Sequence, residues 1–305
     1  MAASGVTPTV TIVIPTFNRF NFLCEAIRSS LEQTADVDVI VVDHGSSDET
    51  TRIPKIFGDS IRFIRREFDS GPHFSWLDGC LIAHTPFIKL LFDDDFLEPT
   101  FIEKTMELLS PSVGFVFSKA TITDAEGKPA TELFNGIVSG SGVFYKTVDR
   151  RAVRTPVISP SAAVFRREDL IDSLFIDKLP LQERKYHGVG PDHFVKLLAL
   201  MRYRKFGFVD EPLVSFRSHS GSITTASADD HSRAELKAAY FEVENIAFIL
   251  STIKKWNLVG LLRSTIPIRR SLRSLFKKWR GLARQIRRHG LVPLRMKTDM
   301  KPGSL

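Results

Sequence analysis

Between Val10 and Leu109, short apolar runs rich in β-branched residues alternate with segments of helical period, and three of the runs break off abruptly into polar clusters. Val10–Ile14 leads into PTFNR, Val37–Val42 into DHGSSD, and Phe87–Phe92 into DDD, with a further strand-like run at Ile61–Ile64. Between them, Phe20–Leu31 places Phe22, Leu23, Ala26, Ile27 and Leu31 on one helical face, Trp76–Ala83 reads as a helix, and Pro99–Leu109 as a helix opening on proline. Uninterrupted apolar strands are buried on both faces, so the alternation predicts an α/β fold: a mostly parallel central sheet with helices on both faces. Ligands of such sheets bind beyond the carboxyl ends of the strands. The three polar clusters are therefore expected along one edge.

Farther along, Val113–Ser118 reads as a strand, DAEGKP (124–129) as a tight turn, and ISPSAAVFRRED (158–169) as a lead into a short helix. Pro191–Arg202 is an expected helix, Phe206–Val209 and Leu213–Phe216 are expected short strands, and Ser232–Leu250 is expected to be helical. With 43% hydrophobic and 25% charged residues and only 16 Pro and 18 Gly in 305 residues, a disordered, collagen-like or low-complexity chain is excluded. Two cysteines, Cys24 and Cys80, make no disulfide framework. The start lacks a basic segment followed by an apolar one, and no apolar run is long enough to span a membrane, so a cytoplasmic protein is expected.

The chemistry is concentrated in Asp93-Asp94-Asp95. Adjacent carboxylates repel one another unless a cation lies among them, and Mg²⁺ binds through one or two carboxylates plus substrate phosphates. The plain alternative is an acidic turn favourable to the dipole of the next helix. Asp43 also ends a strand, and Ser46 and Glu49 after it have the spacing of a capping box. Arg166 and Arg167 read as a solvated basic pair within reach of phosphate.

Seven segments, TIVIPTFNR (11–19), VIVVDHGSSDET (39–50), FDSGPHFSWLDGCLIA (68–83), FIKLLFDDDFLEP (87–99), ISPSAAVFRRED (158–169), GPDHFVKLLA (190–199) and DEPLVSFRSHSGSIT (210–224), together resemble, in order, the family 2 glycosyltransferases with the A-type, nucleotide-binding fold. The resemblance covers roughly 9–225. It implies an inverting, metal-dependent enzyme that moves a sugar from a nucleotide-sugar donor to a hydroxyl of a glycan or lipid-linked acceptor, in polysaccharide or glycolipid synthesis. Carried over by position, it puts Pro15, Thr16, Asn18 and Arg19 at the rim of the nucleotide pocket, Asp43 and His44 at the base with Ser46 beside them, and Asp93 on ribose or metal. Asp94 is the implied ligand of Mg²⁺ or Mn²⁺, with Asp95 and His219 close to the metal, and Asp192 is the implied catalytic base. Where the family commonly has a second acidic residue this chain has His44, which supplies no carboxylate, so dTDP- and GDP-linked donors stand beside UDP.

Two rivals belong to other classes. A nucleotidyltransferase should carry a glycine-rich phosphate loop after the first strand, and PTFNR has no glycine. A non-catalytic basic adaptor, binding membrane or nucleic acid on a vestigial nucleotide-sugar fold, has no use for both the acidic run and Asp192.

The net charge of +7 is unevenly distributed: 251–305 holds 15 Lys/Arg and one acidic residue, leaving 27 basic against 34 acidic residues before it. In this segment Leu, Phe and Trp recur at steps of three and four from Ile268 to Ile286, opposite Lys and Arg. A terminal helix packing its stripe on the catalytic domain and a nucleic-acid-binding helix share this pattern, but Trp and Phe in the stripe favour a helix lying on an anionic membrane surface, and so a peripheral protein of the cytosolic face. The expected organisation is a catalytic domain at 1–230, with a nucleotide-sugar half at 1–119 and an acceptor half at 120–230, and a basic helical region at 231–305.

Overall fold

A computed structural model describes residues 8–67, 72–133, 140–145, 147–148, 153–154, 159–174, 191–203 and 205–219. The expected helix at 232–250 and the basic segment 251–305 lie outside the described residues. The chain opens with β1 (Val10–Thr16), α1 (Phe20–Leu31), β2 (Val37–Asp43), α2 (Ile53–Phe57), β3 (Arg62–Arg65), α3 (Pro72–Ile82) and β4 (Phe87–Leu90). It continues through β5 (Phe96–Leu97), α4 (Phe101–Glu107), β6 (Val113–Thr123), β7 (Pro129–Leu133) and β8 (Gly142–Tyr145). After a separate two-stranded pair, β9 (Thr147–Val148) with β10 (Val153–Arg154), come β11 (Ala163–Arg166), α5 (Arg167–Ser173), α6 (Pro191–Arg202) and β12 (Lys205–Arg217).

The main sheet runs β3-β2-β1-β4-β11-β6-β12-β5, with β7 on β6 and β8 on β12. Its first four strands are parallel, as the alternation predicts. Right-handed crossovers then put α1 and α2 on one face and α3 on the other. Beyond β4 the sheet is mixed, because β11 is antiparallel to both β4 and β6. Two reversals leave β6 pointing the same way as β4, and β12 is parallel to β6. Carboxyl ends therefore collect along one edge from β2 across to β12.

Packing fixes these directions. A Cβ on Gly79 would stand 2.2 Å from Val13 Cγ1, so the absence of a side chain is what lets α3 lie on β1. At Gly114 a Cβ would stand 3.0 Å from the Tyr203 ring and 3.3 Å from the Ala199 carbonyl oxygen. The end of α6 thus rests on the start of β6. Between β6, β11 and β12, Phe115, Phe117, Phe165, Phe206 and Phe208 are buried in mutual contact, with neighbouring ring centroids 4.9–6.2 Å apart.

Several local expectations shift. The two short strands at 206–209 and 213–216 are one strand, β12, bulged around Pro212, which has no N–H for the ladder. The strand expected at 87–92 ends at Leu90, and residues 91–95 turn, with Asp95 N–H donating to the Phe92 carbonyl. The helix after Pro99 starts at Phe101. The turn at 124–129 forms as expected: Gly127 takes φ +84°, and the Asp124 carboxylate accepts the Lys128 N–H.

Candidate active site

The carboxyl edge is built around Thr16, where β1 ends beside Asp43 of β2. Thr16 Oγ1 donates to Asp93 Oδ2 at 2.8 Å, and Arg19 Nη1 reaches Asp93 Oδ1 at 3.0 Å and Asp94 Oδ2 at 2.7 Å. The PTFNR cluster therefore closes directly on the DDD cluster. Asn18 holds the loop in place. It takes the left-handed φ of +54°, its N–H donates to Ser46 Oγ at 2.9 Å, and its Oδ1 accepts the Ser47 N–H at 2.8 Å. Pro15 is buried within β1 opposite Val42, one position inside the rim.

Asp43 is fully buried. Its Oδ1 accepts from the Ser46 N–H at 2.9 Å and from Ser46 Oγ at 2.5 Å, while Oδ2 lies 3.4 Å from Arg65 Nη1. The capping box expected from Ser46 and Glu49 does not form. Asp48 caps the short helical turn Glu49–Arg52, accepting the Thr50 N–H, because Ser46 is engaged with Asp43 and Asn18. His44 is buried next to Asp43, with Phe17 on its outer side at 6.5 Å between ring centroids.

The three aspartates differ sharply. Asp93 is buried, and burial pushes its pKa up to about 6 against the pull of the Arg19 charge. Asp94 Oδ2 faces Arg19 and also lies 3.1 Å from His219 Nε2. Asp95 turns inward: it accepts from the Ser161 hydroxyl and from the Arg217 N–H at 3.4 Å, and burial, with the neighbouring Asp94 charge, raises its pKa. Beneath it the fully buried Lys89 donates to the Ser161 carbonyl oxygen and lies over the Phe101 ring, where burial lowers its pKa. Asp95 and Lys89 thus form a buried support for the turn.

Arg217, whose side chain is only 2% exposed, ties that support together. Its Nε donates to the Asp94 carbonyl oxygen at 3.2 Å and its Nη1 to the Ala125 carbonyl oxygen at 2.7 Å; Nη2 pairs with Glu25. The guanidinium lies between the Phe22 and Phe96 rings, and Phe22 also packs on His219. Sequence reasoning selected His219 and passed over Arg217, Glu25, Ser161 and Lys89. Two signals were present: a lone lysine inside the apolar run FIKLLF, and an arginine two residues before His219 and therefore on the same side of the strand.

Asp192 lies in the first turn of α6. One turn on, Lys196 is buried, and burial lowers its pKa to about 8 against the opposing Asp192 charge. Arg166 and Arg167 are not a solvated pair. Arg166 donates to the Ser110 and Val113 carbonyl oxygens, and Arg167 Nε to the Cys80 carbonyl oxygen at 2.7 Å, so both are spent on backbone ends.

Among the described residues no cluster of three or more His, Cys, Asp or Glu side chains forms a complete metal cage, and no helix is long and apolar enough to cross a membrane. Asp94 with His219 nonetheless offers one carboxylate oxygen and one imidazole nitrogen at the same spot. Two protein ligands fit a Mg²⁺ or Mn²⁺ ion whose remaining positions belong to phosphate and water.

Comparison with known proteins shows the family and the fold. Residues 11–174, more than half of the chain, match the family described as Glycosyl transferase family 2. An uncharacterized glycosyltransferase of Rickettsia typhi is 31% identical over 214 residues, covering 70% of this chain and 57% of its own. The GalNAc(5)-diNAcBac-PP-undecaprenol beta-1,3-glucosyltransferase of Campylobacter jejuni is 31% identical over 134 residues, covering 42% of this chain and 43% of its own. The chain spans between 26% and 57% of the length of the rickettsial relatives it matches. The crystal structure of S. aureus TarS 1-349 in complex with UDP-GlcNAc shares the fold, with a TM-score of 0.61 at 14% identity over 80% of this chain and 66% of that one.

Proposed function

The chain belongs to glycosyl transferase family 2 and has its Rossmann-like A-type fold, and on that premise we propose that it moves a sugar from a nucleotide-sugar donor to a hydroxyl of a glycan or lipid-linked acceptor, in polysaccharide or glycolipid synthesis. The observation that carries the reading is the convergence of Thr16, Arg19, Asp93, Asp94 and His219 at one sheet edge, beside the buried Asp43–Ser46 pair. The TarS structure holding UDP-GlcNAc and the undecaprenol-linked acceptor in the Campylobacter enzyme's name support the donor and acceptor classes.

In this reading Asp43, His44 and Ser46 take the base, and Thr16 and Asp93 the adjoining sugar of the nucleotide. Asp94 and His219 hold a divalent cation, which when bound neutralises charge on the departing diphosphate. Asp192 takes the proton of the acceptor hydroxyl as its oxygen attacks the anomeric carbon from the face opposite the leaving group. A single displacement of this kind inverts the anomeric configuration. A carboxylate accepts that proton late, when the attacking hydroxyl has become acidic. The segment 251–305 serves to hold the enzyme at an anionic membrane, where a lipid-linked acceptor resides.

Asp192→Asn should lower transfer by about a hundredfold or more while donor binding is retained, and turnover surviving the change would remove Asp192 from the mechanism. Thermal shift with UDP, dTDP and GDP and their sugars, each with Mn²⁺, identifies the nucleotide, since a bound ligand raises the melting temperature by linkage. Flotation with anionic and neutral liposomes, with and without 251–305, tests the membrane role. Flotation that ignores lipid charge, or that persists after the deletion, counts against it.

A further inference from the structure

Arg19 has a position that the preceding reading leaves unexplained. A single nitrogen, Nη1, bridges Asp93 Oδ1 at 3.0 Å and Asp94 Oδ2 at 2.7 Å, both on carboxylates that are almost wholly enclosed. The same Asp94 oxygen meets His219 Nε2. The guanidinium therefore occupies the oxygen that a divalent cation would need. It sets a positive charge beside adjacent carboxylates that would otherwise repel one another.

The backbone under Arg19 cannot follow any movement. Asn18 is tied to Ser46 and Ser47, the Phe20 N–H is held by Asp48 Oδ2 at 3.0 Å, and the Arg19 carbonyl oxygen already accepts the Leu23 N–H at 2.9 Å in the first turn of α1. The side chain is the part left to swing, and with 23% of it exposed it borders solvent. Once released it remains on the rim of the pocket, and a guanidinium fork matches phosphate oxygens better than any other side chain.

Resting on the reading of Asp94 as a metal ligand, we infer that Arg19 is a built-in counter-ion that must leave Asp94 before a divalent cation binds, and that the displaced guanidinium then takes the diphosphate of the donor. Metal and nucleoside diphosphate are thereby coupled: each makes room or provides a partner for the other. By linkage the coupling is reciprocal, so the diphosphate tightens the metal by the same factor as the metal tightens the diphosphate.

The test is Mn²⁺ binding by the full chain, followed by electron paramagnetic resonance of free Mn²⁺ and by calorimetry, alone and with UDP, dTDP or GDP. Wild type should bind Mn²⁺ weakly alone and much more tightly with the matching diphosphate. Arg19→Gln should bind Mn²⁺ alone about tenfold tighter than wild type, and its metal–diphosphate coupling should fall by a similar factor, within the usual range for coupled sites. Arg19→Lys keeps the charge on a compact head that cannot fork, and should lie between the two; it decides the matter if a melting curve shows Arg19→Gln to be unfolded. Wild-type values in both variants, with Mn²⁺ binding lost in Asp94→Ala, overturn the role of Arg19 and leave the metal reading intact. Mn²⁺ binding that survives Asp94→Ala, or that no diphosphate elicits in any variant, overturns the metal reading and the inference with it.

Discussion

In the parallel half of the sheet α3 meets β1 where Gly79 lies bare against Val13, whereas in the mixed half the site is braced by a buried cation, Arg217 of β12. The first contact is a matter of shape, and its energy comes from close packing of aliphatic surface. The second is a matter of unpaired groups, since the Asp94 and Ala125 carbonyl oxygens would lose their donors if the cation were removed. Damage to the first should loosen the fold and spare the geometry of the aspartates. Damage to the second should do the reverse.

The largest expected effect is in the mixed half. Arg217→Met removes the donors to the Asp94 and Ala125 carbonyl oxygens and the partner of Glu25, and should cut transfer by about a hundredfold, the usual consequence of misplacing a reacting group by an ångström. It should cost roughly 2–3 kcal/mol of stability, read by denaturant melts, for the groups left unpaired. Transfer unchanged in a destabilised variant would mean that Arg217 serves the fold alone. Gly79→Ala is the counterpart. Its new Cβ meets Val13, so it should cost about 1–3 kcal/mol with kcat nearly unaltered in the folded fraction. A larger loss of kcat than of stability would erase the distinction between the halves.

A pH effect of intermediate size belongs to Asp93. Its folded pKa of about 6 lies above the ordinary 3.8, so its protonated form favours folding; that stability is full below pH 3.8 and is lost as pH rises through 6. Asp93→Asn should therefore be more stable than wild type above pH 6, by on the order of 2–3 kcal/mol at most, with the gap closing toward pH 4. Melting temperatures across that range measure it, and a constant gap would exclude the titration of Asp93. The smallest effect is expected at Cys80, a fully buried residue of α3 with its thiol pushed up to about 12: it should resist alkylation in the native protein and react only on unfolding, whichever half has been weakened.

The same difference governs what the sequence revealed. Apolar runs and their polar ends report strands buried in a parallel sheet, because nothing but burial on both faces selects such runs, and β1 to β4 were legible within a few residues. The mixed strands were less so. β12 looked like two strands, because the Asp-Glu-Pro bulge interrupts the apolar pattern without ending the strand. At the site, the residues that meet ligands stood out as polar clusters at strand ends. Their supports did not, since Ser161, Glu25 and Arg217 acquire their roles only from partners 66 to 192 positions away. The nearest hint, Lys89 in FIKLLF, became meaningful once Ser161 and Asp95 were seen around it. For Ser46 the spacing suggested a cap, and tertiary contacts with Asp43 and Asn18 took the hydroxyl instead.

The bond between Arg217 and Glu25 spans 192 positions. A chain emerging from the ribosome completes the acidic turn by residue 95 but lacks the side chain that braces it until more than a hundred further residues have followed. Closing so long a loop is slow compared with forming the local βα units, and its contacts are won only at the end. The parallel half can then be folded while the aspartate run is still unbraced. A nascent chain stalled before β12 should hold a folded sheet and an incompetent site, so that catalytic readiness waits for β12 rather than for the first appearance of the fold.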